Sequence, residues 1–445
     1  MKNSYEKSIK QNRTEIWKKF TSLILEEKSM SKINLLFDCK PLLFKRSGIY
    51  FATQNLLQNM HNNENLQISL AYSSDIKFKD LQKLKCHPFF SQFNFICTGL
   101  GEAETTMESI NYHKEYKNYA KMIYHYLRLV ILRIMERFYY RRKKIENIQV
   151  YLSPYNAIPP KIREQKRVKK IYILYDTTPI LFEHYFDSTT MYKRLIKTLD
   201  KDSYAFCISQ SCKNDYLKYC GEKLDANKMF VTYLATNQNY LPNYNKQELI
   251  QVLKKYKVGH NPKDNYLFSL CNLEPRKNLP FTIICFLKFI KKYNVQNFYF
   301  YLGGSASRKF KSIMAKTLED TGEYRHKIKL LGYIDDCDVN ILYSNSLFFT
   351  YLSEYEGFGM PPLEAMQSGT PVITSNNSSL PEVVGDAAIS VTYNDEPAII
   401  KAFEDFYFNE ELRKEYIAKG LERAKMFSWE KTVSQMVNVI EEVIK

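Results

Sequence analysis

Two glutamates flank a glycine-containing turn in the segment 346–375, SLFFTYLSEYEGFGMPPLEAMQSGTPVITS. Glu356 and Glu364 are eight positions apart, and Gly357 and Gly359 follow the first of them. Glycines let backbone amides approach a ligand without a Cβ in the way. Two prolines then mark a helix start, whose free N–H groups favour hydroxyl oxygens or negative charge. The segment therefore indicates a polar or anionic ligand, although such glutamates are also common as a cap and a solvated side chain.

The glutamate segment must be positioned by a sheet whose strands all end at the same edge. From residue 33 onward, short apolar runs alternate with helical patterns, and this alternation predicts an α/β fold with doubly wound parallel sheets. A first series of strands is expected at 33–39, 66–72, 93–98, 150–152, 170–175, 205–209 and 229–233. Residues 237–264, a short helix between two polar stretches, fit a linker region. A second series of strands is expected at 266–271, 298–302, 328–331, 347–352, 371–374 and 388–391. We expect two Rossmann-like domains that face each other across a cleft, with ligands at the carboxyl ends of the strands.

Four segments follow from this pattern. Residues 1–30 are a charged extension, 31–245 form the N-terminal domain, 246–428 form the C-terminal domain, and 429–445 form a terminal helix that we expect to return toward the N-terminal domain. The extension has no continuous apolar region of the kind found in signal peptides, so we expect a cytoplasmic protein. The nine cysteines are odd in number and scattered, which is typical of neither a disulfide framework nor a zinc site.

The positive charge is confined to one half of the chain. The net charge is +16, but residues 1–260 carry 43 Lys and Arg against 24 Asp and Glu, whereas residues 261–445 are slightly acidic. A positive electrostatic potential confined to the first part of the chain indicates that this part approaches an acidic substrate or surface. No recognisable nucleic-acid-binding module accompanies the charge, so we expect no nucleic-acid partner.

The most lipid-like segment is 111–144. Its apolar residues have helical spacing and its end is the basic cluster 141–144, as in a helix that lies on an anionic membrane surface. Charged residues interrupt every window long enough to span a bilayer. A helix whose apolar stripe packs on the sheet and whose basic end is solvated would have the same pattern.

The glutamate segment resembles the signature of the retaining nucleotide-sugar glycosyltransferases of family four, which have the GT-B architecture and two glutamates around a glycine-rich turn. Further segments resemble the family in the same order along the chain, over roughly residues 33–440: YDTTPILFEHYF (175–186), CISQSCKNDYLKY (207–219), NLEPRKNL (272–279), SSLPEVVGDAA (378–388) and FSWEKT (427–432). The resemblance implies that the N-terminal domain lies on the acceptor side and that the C-terminal domain binds the nucleotide sugar.

The resemblance also implies a role for individual residues. Glu356 and the amides of Gly357, Phe358 and Gly359 would hold the donor sugar, and Glu364 would accept from the ribose hydroxyls. In the same way, Arg276 and Lys277 would neutralise the donor diphosphate, Gly48 would let the first domain approach that diphosphate, and Asp176 would lie near the donor sugar and the acceptor. The alternatives are an exposed basic loop for Arg276 and Lys277, an ordinary turn for Gly48, and a helix cap or turn aspartate for Asp176.

The sequence departs from the family at three places. The usual His-Asp pair is Tyr175-Asp176, the glycine before the basic motif is Cys271, and the first loop has Gly48-Ile49-Tyr50-Phe51 in place of Gly-x-Gly-Arg-Tyr. There is no Asp-x-Asp motif of the kind that holds a metal under a diphosphate. The three aspartates of 335–338 are expected to cap a helix, so we expect neither a metal nor a cofactor.

The resemblance implies a retaining, metal-independent glycosyltransferase that moves a sugar from a nucleoside-diphosphate sugar to a hydroxyl acceptor. The acceptor is expected to be a glycan or lipid-linked, as in the assembly of a bacterial surface polysaccharide or glycoconjugate, with the protein peripheral on the inner face of the cytoplasmic membrane. Two alternatives remain open from the sequence. They are a noncatalytic glycosyltransferase-like subunit of an assembly complex and a sugar-nucleotide epimerase of the same architecture.

Overall fold

The computed structural model describes residues 32–43, 48–73, 76–98, 127, 130–131, 147–183, 189–237, 239–305 and 308–445. In these residues the first domain has seven strands, which are β1 (Ile33–Asp38), β2 (Leu66–Tyr72), β3 (Asn94–Cys97), β4 (Val150–Pro154), β5 (Lys169–Leu174), β6 (Tyr204–Cys207) and β7 (Met229–Val231). Its described helices are α1 (Gly48–His61), α2 (Phe78–Lys85), α3 (Pro160–Arg163), α4 (Thr178–Leu181), α5 (Thr190–Thr198) and α6 (Gln210–Cys220).

The second domain has six strands, which are β8 (Asn265–Leu270), β9 (Phe298–Gly303), β10 (Ile328–Gly332), β11 (Phe348–Tyr351), β12 (Val372–Ser375) and β13 (Ile389–Val391). Its helices, in chain order, are α7 (Lys246–Lys255), α8 (Leu279–Lys292), α9 (Arg308–Glu319), α10 (Asp336–Ser344), α11 (Met360–Gln367), α12 (Leu380–Val384), α13 (Glu396–Phe408), α14 (Glu410–Ala424) and α15 (Trp429–Ile444).

Both sheets are parallel and have the same doubly wound order. The strands of the first sheet follow β3-β2-β1-β4-β5-β6-β7, and those of the second follow β10-β9-β8-β11-β12-β13. The strands read as short apolar runs because helices cover both faces of such sheets, as in β11, where all four residues are buried. In each sheet the winding direction reverses between the first and fourth strands, and this reversal opens a crevice at their carboxyl ends.

The expected α/β fold with two Rossmann-like domains is confirmed, and each of the thirteen apolar runs forms a strand within a few residues of its expected bounds. Two local expectations are wrong. Gly48 is the first residue of α1 rather than part of a loop. Asp335 stands at the N-cap position of α10, but its side chain accepts no hydrogen bond from the helix; together with Asp338 it binds the ammonium group of Lys255 at 2.6 Å.

Helix α7 lies within the stretch expected to be a linker, and it belongs to the second domain because its last residue, Lys255, makes these ion pairs to α10. At the other end of the chain, α15 crosses back and contacts α1 of the first domain. Asn65 donates to the carboxylate of Glu441 at 2.7 Å, and the Thr432 hydroxyl donates to the carbonyl of Tyr233 at 2.6 Å. The polypeptide therefore passes between the domains twice.

Most of the lipid-like segment 111–144 lies outside the described residues. Leu127, Val130 and Ile131 are described, and all three are helical with exposed side chains. In the parts of the chain that the structure describes, no helix is both long enough and apolar enough to cross a membrane.

Candidate active site

Two turns meet where the second sheet reverses its winding direction. Strands β8 and β11 are neighbours. After β8 the chain forms a short 3-10 turn, Pro275–Lys277, and after β11 it forms an irregular segment that ends at α11. The two turns are joined by backbone hydrogen bonding, because the amide of Glu354 donates to the carbonyl of Arg276 at 2.8 Å. Side chains from both turns therefore converge at the carboxyl edge of the sheet.

A carboxylate and two cations occupy this edge. Oε1 of Glu356 accepts from Nη1 of Arg276 at 2.8 Å and from the ammonium group of Lys277. Lys277 also donates to the Tyr351 hydroxyl, and Arg276 donates to the carbonyl of Tyr355 at 2.7 Å. The side chains of Glu356, Arg276 and Lys277 are only 10%, 13% and 6% exposed. Arg276 and Lys277 are thus not an exposed basic loop.

The two cations keep Glu356 ionised. Burial alone would raise the pKa of its carboxyl group, but the attraction of Arg276 and Lys277 outweighs burial and lowers the pKa to about 2. Glu356 is therefore a carboxylate at any physiological pH. It can accept hydrogen bonds from hydroxyl groups, and it has no proton to donate.

The loop 356–359 presents unused backbone donors beside this carboxylate. Its carbonyls are engaged, since the Ser379 hydroxyl donates to the carbonyls of Glu356 at 2.9 Å and Phe358 at 2.7 Å. In the described chain, the N–H groups of Gly357, Phe358 and Gly359 donate to no other protein atom. Gly359 has a φ of 118°, a conformation that favours glycine. Together with Glu356, the loop is suited to bind several hydroxyl groups of one ligand.

Asp176 of the first domain lies against Gly357. It follows β5 and forms a local turn in which its Oδ1 accepts from the amide of Thr178 at 3.0 Å. A Cβ added to Gly357 would lie 2.4 Å from the Cβ of Asp176 and 3.0 Å from its Oδ2. The domains approach so closely here that only glycine fits, and Asp176 is thereby placed at the same cleft as the Glu356 cluster.

Glu364 lies apart from the other candidates. It is on α11, and its Oε2 accepts from the hydroxyl of Tyr343 on α10 at 3.0 Å. Burial raises the pKa of Glu364 to about 7, although the hydrogen bond from Tyr343 opposes the rise. Among the described residues, no hydrogen bond or ion pair joins Glu364 to Glu356, Arg276 or Lys277. Its role toward a ribose stays a prediction.

Gly48 and Tyr175 are the remaining sequence candidates. Gly48 is exposed, and a Cβ there would meet nothing within 4 Å, so the fold itself does not require glycine at this position. Tyr175, which replaces the family histidine, is 6% exposed, and burial raises the pKa of its hydroxyl. Within the described ranges, no group of three or more His, Cys, Asp or Glu side chains is arranged to hold a metal ion.

Several residues of the site were not singled out from the sequence. Tyr351 binds Lys277, and the Ser378 hydroxyl accepts from the amide of Glu356 at 2.9 Å. The Ser209 hydroxyl reaches from the first domain to the carbonyl of Gly357 at 2.7 Å. Ser209 and Ser378 both lie in segments quoted for the family resemblance, but their pairing with the loop depends on contacts that no spacing rule reveals.

Comparison with known proteins agrees with this geometry. Residues 212–423 match the family of glycosyl transferases group 1. This match covers slightly less than half of the chain. The Glu356 cluster and the loop 356–359 lie inside the matched residues, whereas Asp176 and Gly48 precede them.

Curated proteins similar to this chain include O-antigen chain mannosyltransferase B of Escherichia coli, which is 32% identical over 248 residues, 56% of this chain and 63% of the relative. O-antigen chain mannosyltransferase RfbU of Salmonella typhimurium is 27% identical over 224 residues, 50% of this chain and 56% of the relative. The matches thus span less than two thirds of these relatives.

Solved structures share the fold over nearly the whole chain. A glycosyltransferase from Rickettsia africae has a TM-score of 0.62 at 16% identity and covers 93% of this chain and 99% of its own. Anabaena HepE in complex with UDP and glucose has a TM-score of 0.63 at 13% identity, with 92% and 100% covered. At such identities the likeness shows the GT-B fold alone.

We expect Gly357→Ala to destabilise the protein or to separate its domains, because the new methyl group would overlap Asp176. Overpacking of this kind costs about 1–3 kcal/mol. The measurement is the midpoint of thermal unfolding. The matched control is Gly48→Ala, whose methyl group has free space, and its midpoint should not fall. Equal midpoints for wild type and Gly357→Ala would contradict the close approach of the domains.

The pKa of Glu364 predicts a stability that falls with rising pH. Between pH about 4.5 and about 7 the unfolded chain loses this proton while the folded chain keeps it, so the free energy of unfolding decreases, by about 3 kcal/mol at most. Glu364→Gln removes this contribution. The melting temperature of Glu364→Gln relative to wild type should therefore increase from pH 5 to pH 8, whereas that of the exposed control Glu411→Gln should not. A constant difference would show that Glu364 has an ordinary pKa.

Proposed function

We propose that the chain transfers a glycosyl group from a nucleoside-diphosphate sugar to a hydroxyl acceptor with retention of configuration, during assembly of a bacterial surface polysaccharide or glycoconjugate. The observation that carries the proposal is the buried cluster of Glu356, Arg276 and Lys277 beside three free backbone amides. The names of the relatives support a mannosyl group as the transferred sugar.

The cations suit a diphosphate leaving group. An ammonium group has three N–H donors and a guanidinium has five, and the contacts of Lys277 and Arg276 to protein oxygens leave donors on both side chains. Negative charge grows on the diphosphate as the glycosidic bond breaks, and preorganised cations in a buried site stabilise it. The proposed reaction therefore needs no metal and no cofactor besides the sugar nucleotide.

Glu356 and the loop suit the sugar itself. The ionised carboxylate accepts from sugar hydroxyls, and the amides of Gly357, Phe358 and Gly359 donate to hydroxyl oxygens. Holding the sugar between these groups and the cations fixes the anomeric carbon relative to the diphosphate. In this proposal the leaving diphosphate takes the acceptor proton on the same face, so that no carboxylate acts as a nucleophile and Asp176 helps to position the reacting groups.

A basic groove on the first domain supports an anionic, membrane-presented acceptor. A cavity of about 420 Å³ lies between α5 and the end of α6, and four of its lining residues are cations: Lys193, Arg194, Lys197 and Lys223. Ile196 and Tyr219 form the apolar part of the cavity wall. We propose that this face of the first domain contacts anionic lipid phosphates and that the protein is peripheral on the cytoplasmic face of the membrane.

The two alternatives named from the sequence gain no support. A noncatalytic subunit would not need two buried cations on one carboxylate beside unused amides. A sugar-nucleotide epimerase would need acid and base groups around the sugar, whereas Glu356 has no proton to donate.

The donor site predicts selective stabilisation by one nucleotide. We expect one of UDP, GDP, dTDP, ADP and CMP to raise the thermal midpoint, since a ligand at about 100 times its Kd adds about 2.7 kcal/mol. Lys277→Ala should reduce this shift and lower turnover. Glu356→Gln should lower turnover by about 10- to 100-fold, as expected for the loss of hydrogen bonds to a charged group.

The matched control is Lys288→Ala, because Lys288 is an exposed lysine of the second domain that pairs with Glu396. It should behave as wild type. The donor site assignment is wrong if none of the five nucleotides moves the midpoint, or if Lys277→Ala and Glu356→Gln keep normal kinetics.

The basic groove predicts binding to anionic vesicles that weakens with salt. Lys193→Glu combined with Lys197→Glu should lower co-sedimentation with phosphatidylglycerol vesicles, whereas the same change at the exposed Lys414 and Lys425 of the second domain should not. Turnover with a soluble acceptor should be unaffected in both. Equal binding to neutral and anionic vesicles would contradict the proposed contact with anionic lipid.

A further inference from the structure

One carboxylate of the second domain binds the start of a helix in the first domain. The carboxylate is that of Glu382 on α12, and the helix is α6. The amide of Gln210 donates to Oε2 of Glu382 at 2.6 Å, and the amide of Ser211 donates to Oε1 at 2.7 Å. The Tyr233 hydroxyl also donates to Oε2, at 3.3 Å. Both oxygens of a single side chain are thus used across the domain boundary.

The start of a helix is a favourable place for this charge. The first N–H groups of a helix have no partner within the helix, and the helix dipole places partial positive charge there. In α6 the next N–H group, that of Cys212, is satisfied locally by the Ser209 hydroxyl at 3.0 Å. The first two depend on Glu382, so separating the domains would return these two donors and the carboxylate to water.

Residues next to this contact bind the loop 356–359 from both domains. Ser209 immediately precedes α6, and its hydroxyl donates to the carbonyl of Gly357. Ser379 immediately precedes α12, and its hydroxyl donates to the carbonyls of Glu356 and Phe358. The start of α6, the loop 356–359 and α12 therefore form a closed ring of hydrogen bonds, which Glu382 completes.

Helix α12 is itself held firmly in the second domain. Arg423 on α14 donates from Nη2 to the carbonyl of Glu382 and from Nε to the carbonyl of Val383 at 2.9 Å. A displacement of α6 relative to the second domain must therefore break the Glu382 contacts, because α12 cannot follow α6 freely.

We propose that Glu382 is a positioning residue that holds the cleft closed and thereby orders the loop that carries Glu356. It touches no reacting atom. Its carboxylate joins α6 to α12 only when the domains are together, so its charge biases the equilibrium between the open and closed cleft. A further hydrogen bond between the domains, from the Tyr355 hydroxyl to the Asp215 carboxylate, does not involve Glu382. The loss of Glu382 alone should therefore weaken closure of the cleft without abolishing it.

The test measures the distance between the domains directly. Of the nine cysteines, Cys86 in the first domain and Cys337 in the second are exposed, and Cys97 and Cys220 are partly buried. Spin labels on Cys86 and Cys337, in a background with Cys97→Ser and Cys220→Ser, report the interdomain distance by pulsed electron resonance. The variants are Glu382→Gln, which removes the charge, and Glu382→Lys, which reverses it.

The wild type should give one narrow distance distribution. Glu382→Gln should broaden it, and Glu382→Lys should displace it, since a cation at the helix start repels the dipole. The matched controls are Glu411→Gln and Glu411→Lys on the exposed surface of α14, and both should keep the wild-type distribution. Circular dichroism should show that every variant is folded.

Donor kinetics provide a second readout. Because the affinity of a ligand falls with the fraction of the protein in the binding state, the KM for the donor should rise about tenfold or more in Glu382→Lys, with a smaller change in kcat. An unchanged distance distribution in Glu382→Lys overturns the proposal, as does an equal displacement in Glu411→Lys. The distance does not depend on any nucleotide, so a failure of the donor assignment would be distinguished from a failure of this inference.

Discussion

The architecture of the site depends on one carboxylate that balances two buried cations. Arg276 and Lys277 come from the turn after β8, and Glu356 comes from the turn after β11. Burying unpaired charges is costly, and removing one member of a buried ion pair usually costs several kcal/mol. The two turns are therefore fixed relative to each other by charge balance as well as by the neighbouring strands. The carboxylate is anchored and ionised by the protein's own cations.

The irregular backbone after β11 imposes a second constraint. A buried segment without regular structure must find partners for its carbonyl groups. Here short hydroxyl side chains supply them, and those of Ser209, Ser353, Ser375 and Ser379 donate to carbonyls of residues 351–358. The carbonyls of the loop are thereby satisfied, whereas the amides of residues 357–359 donate to no other atom of the described chain. The loop therefore keeps hydrogen-bond donors that a ligand can use.

The sequence predicts the fold well because its signal is local. Buried parallel strands are short apolar runs, so the thirteen strands could be recognised from the local order of apolar and polar residues, and the glycines at 357 and 359 marked a turn. The pairing of Arg276 and Lys277 with Glu356 could not be derived in this way, since it joins residues about 80 positions apart. The hydrogen bond between Glu364 and Tyr343 could not be predicted either, because the direction of the Glu364 side chain is decided by the packing of α10 against α11. The contacts between domains, such as Ser209 with Gly357, depend on a placement of the domains that no periodicity encodes.

The return of α15 to the first domain has a mechanical consequence. A polypeptide that crosses between two domains only once leaves them free to rotate relative to each other in any direction. Here the chain crosses once before α7 and again before α15, and the second crossing is secured by the hydrogen bond from Thr432 to Tyr233 and by the Asn65–Glu441 hydrogen bond. Two crossings define an axis. A motion that keeps both crossings intact is restricted toward rotation about a single line, and such a rotation would return Asp176 to the same place against Gly357.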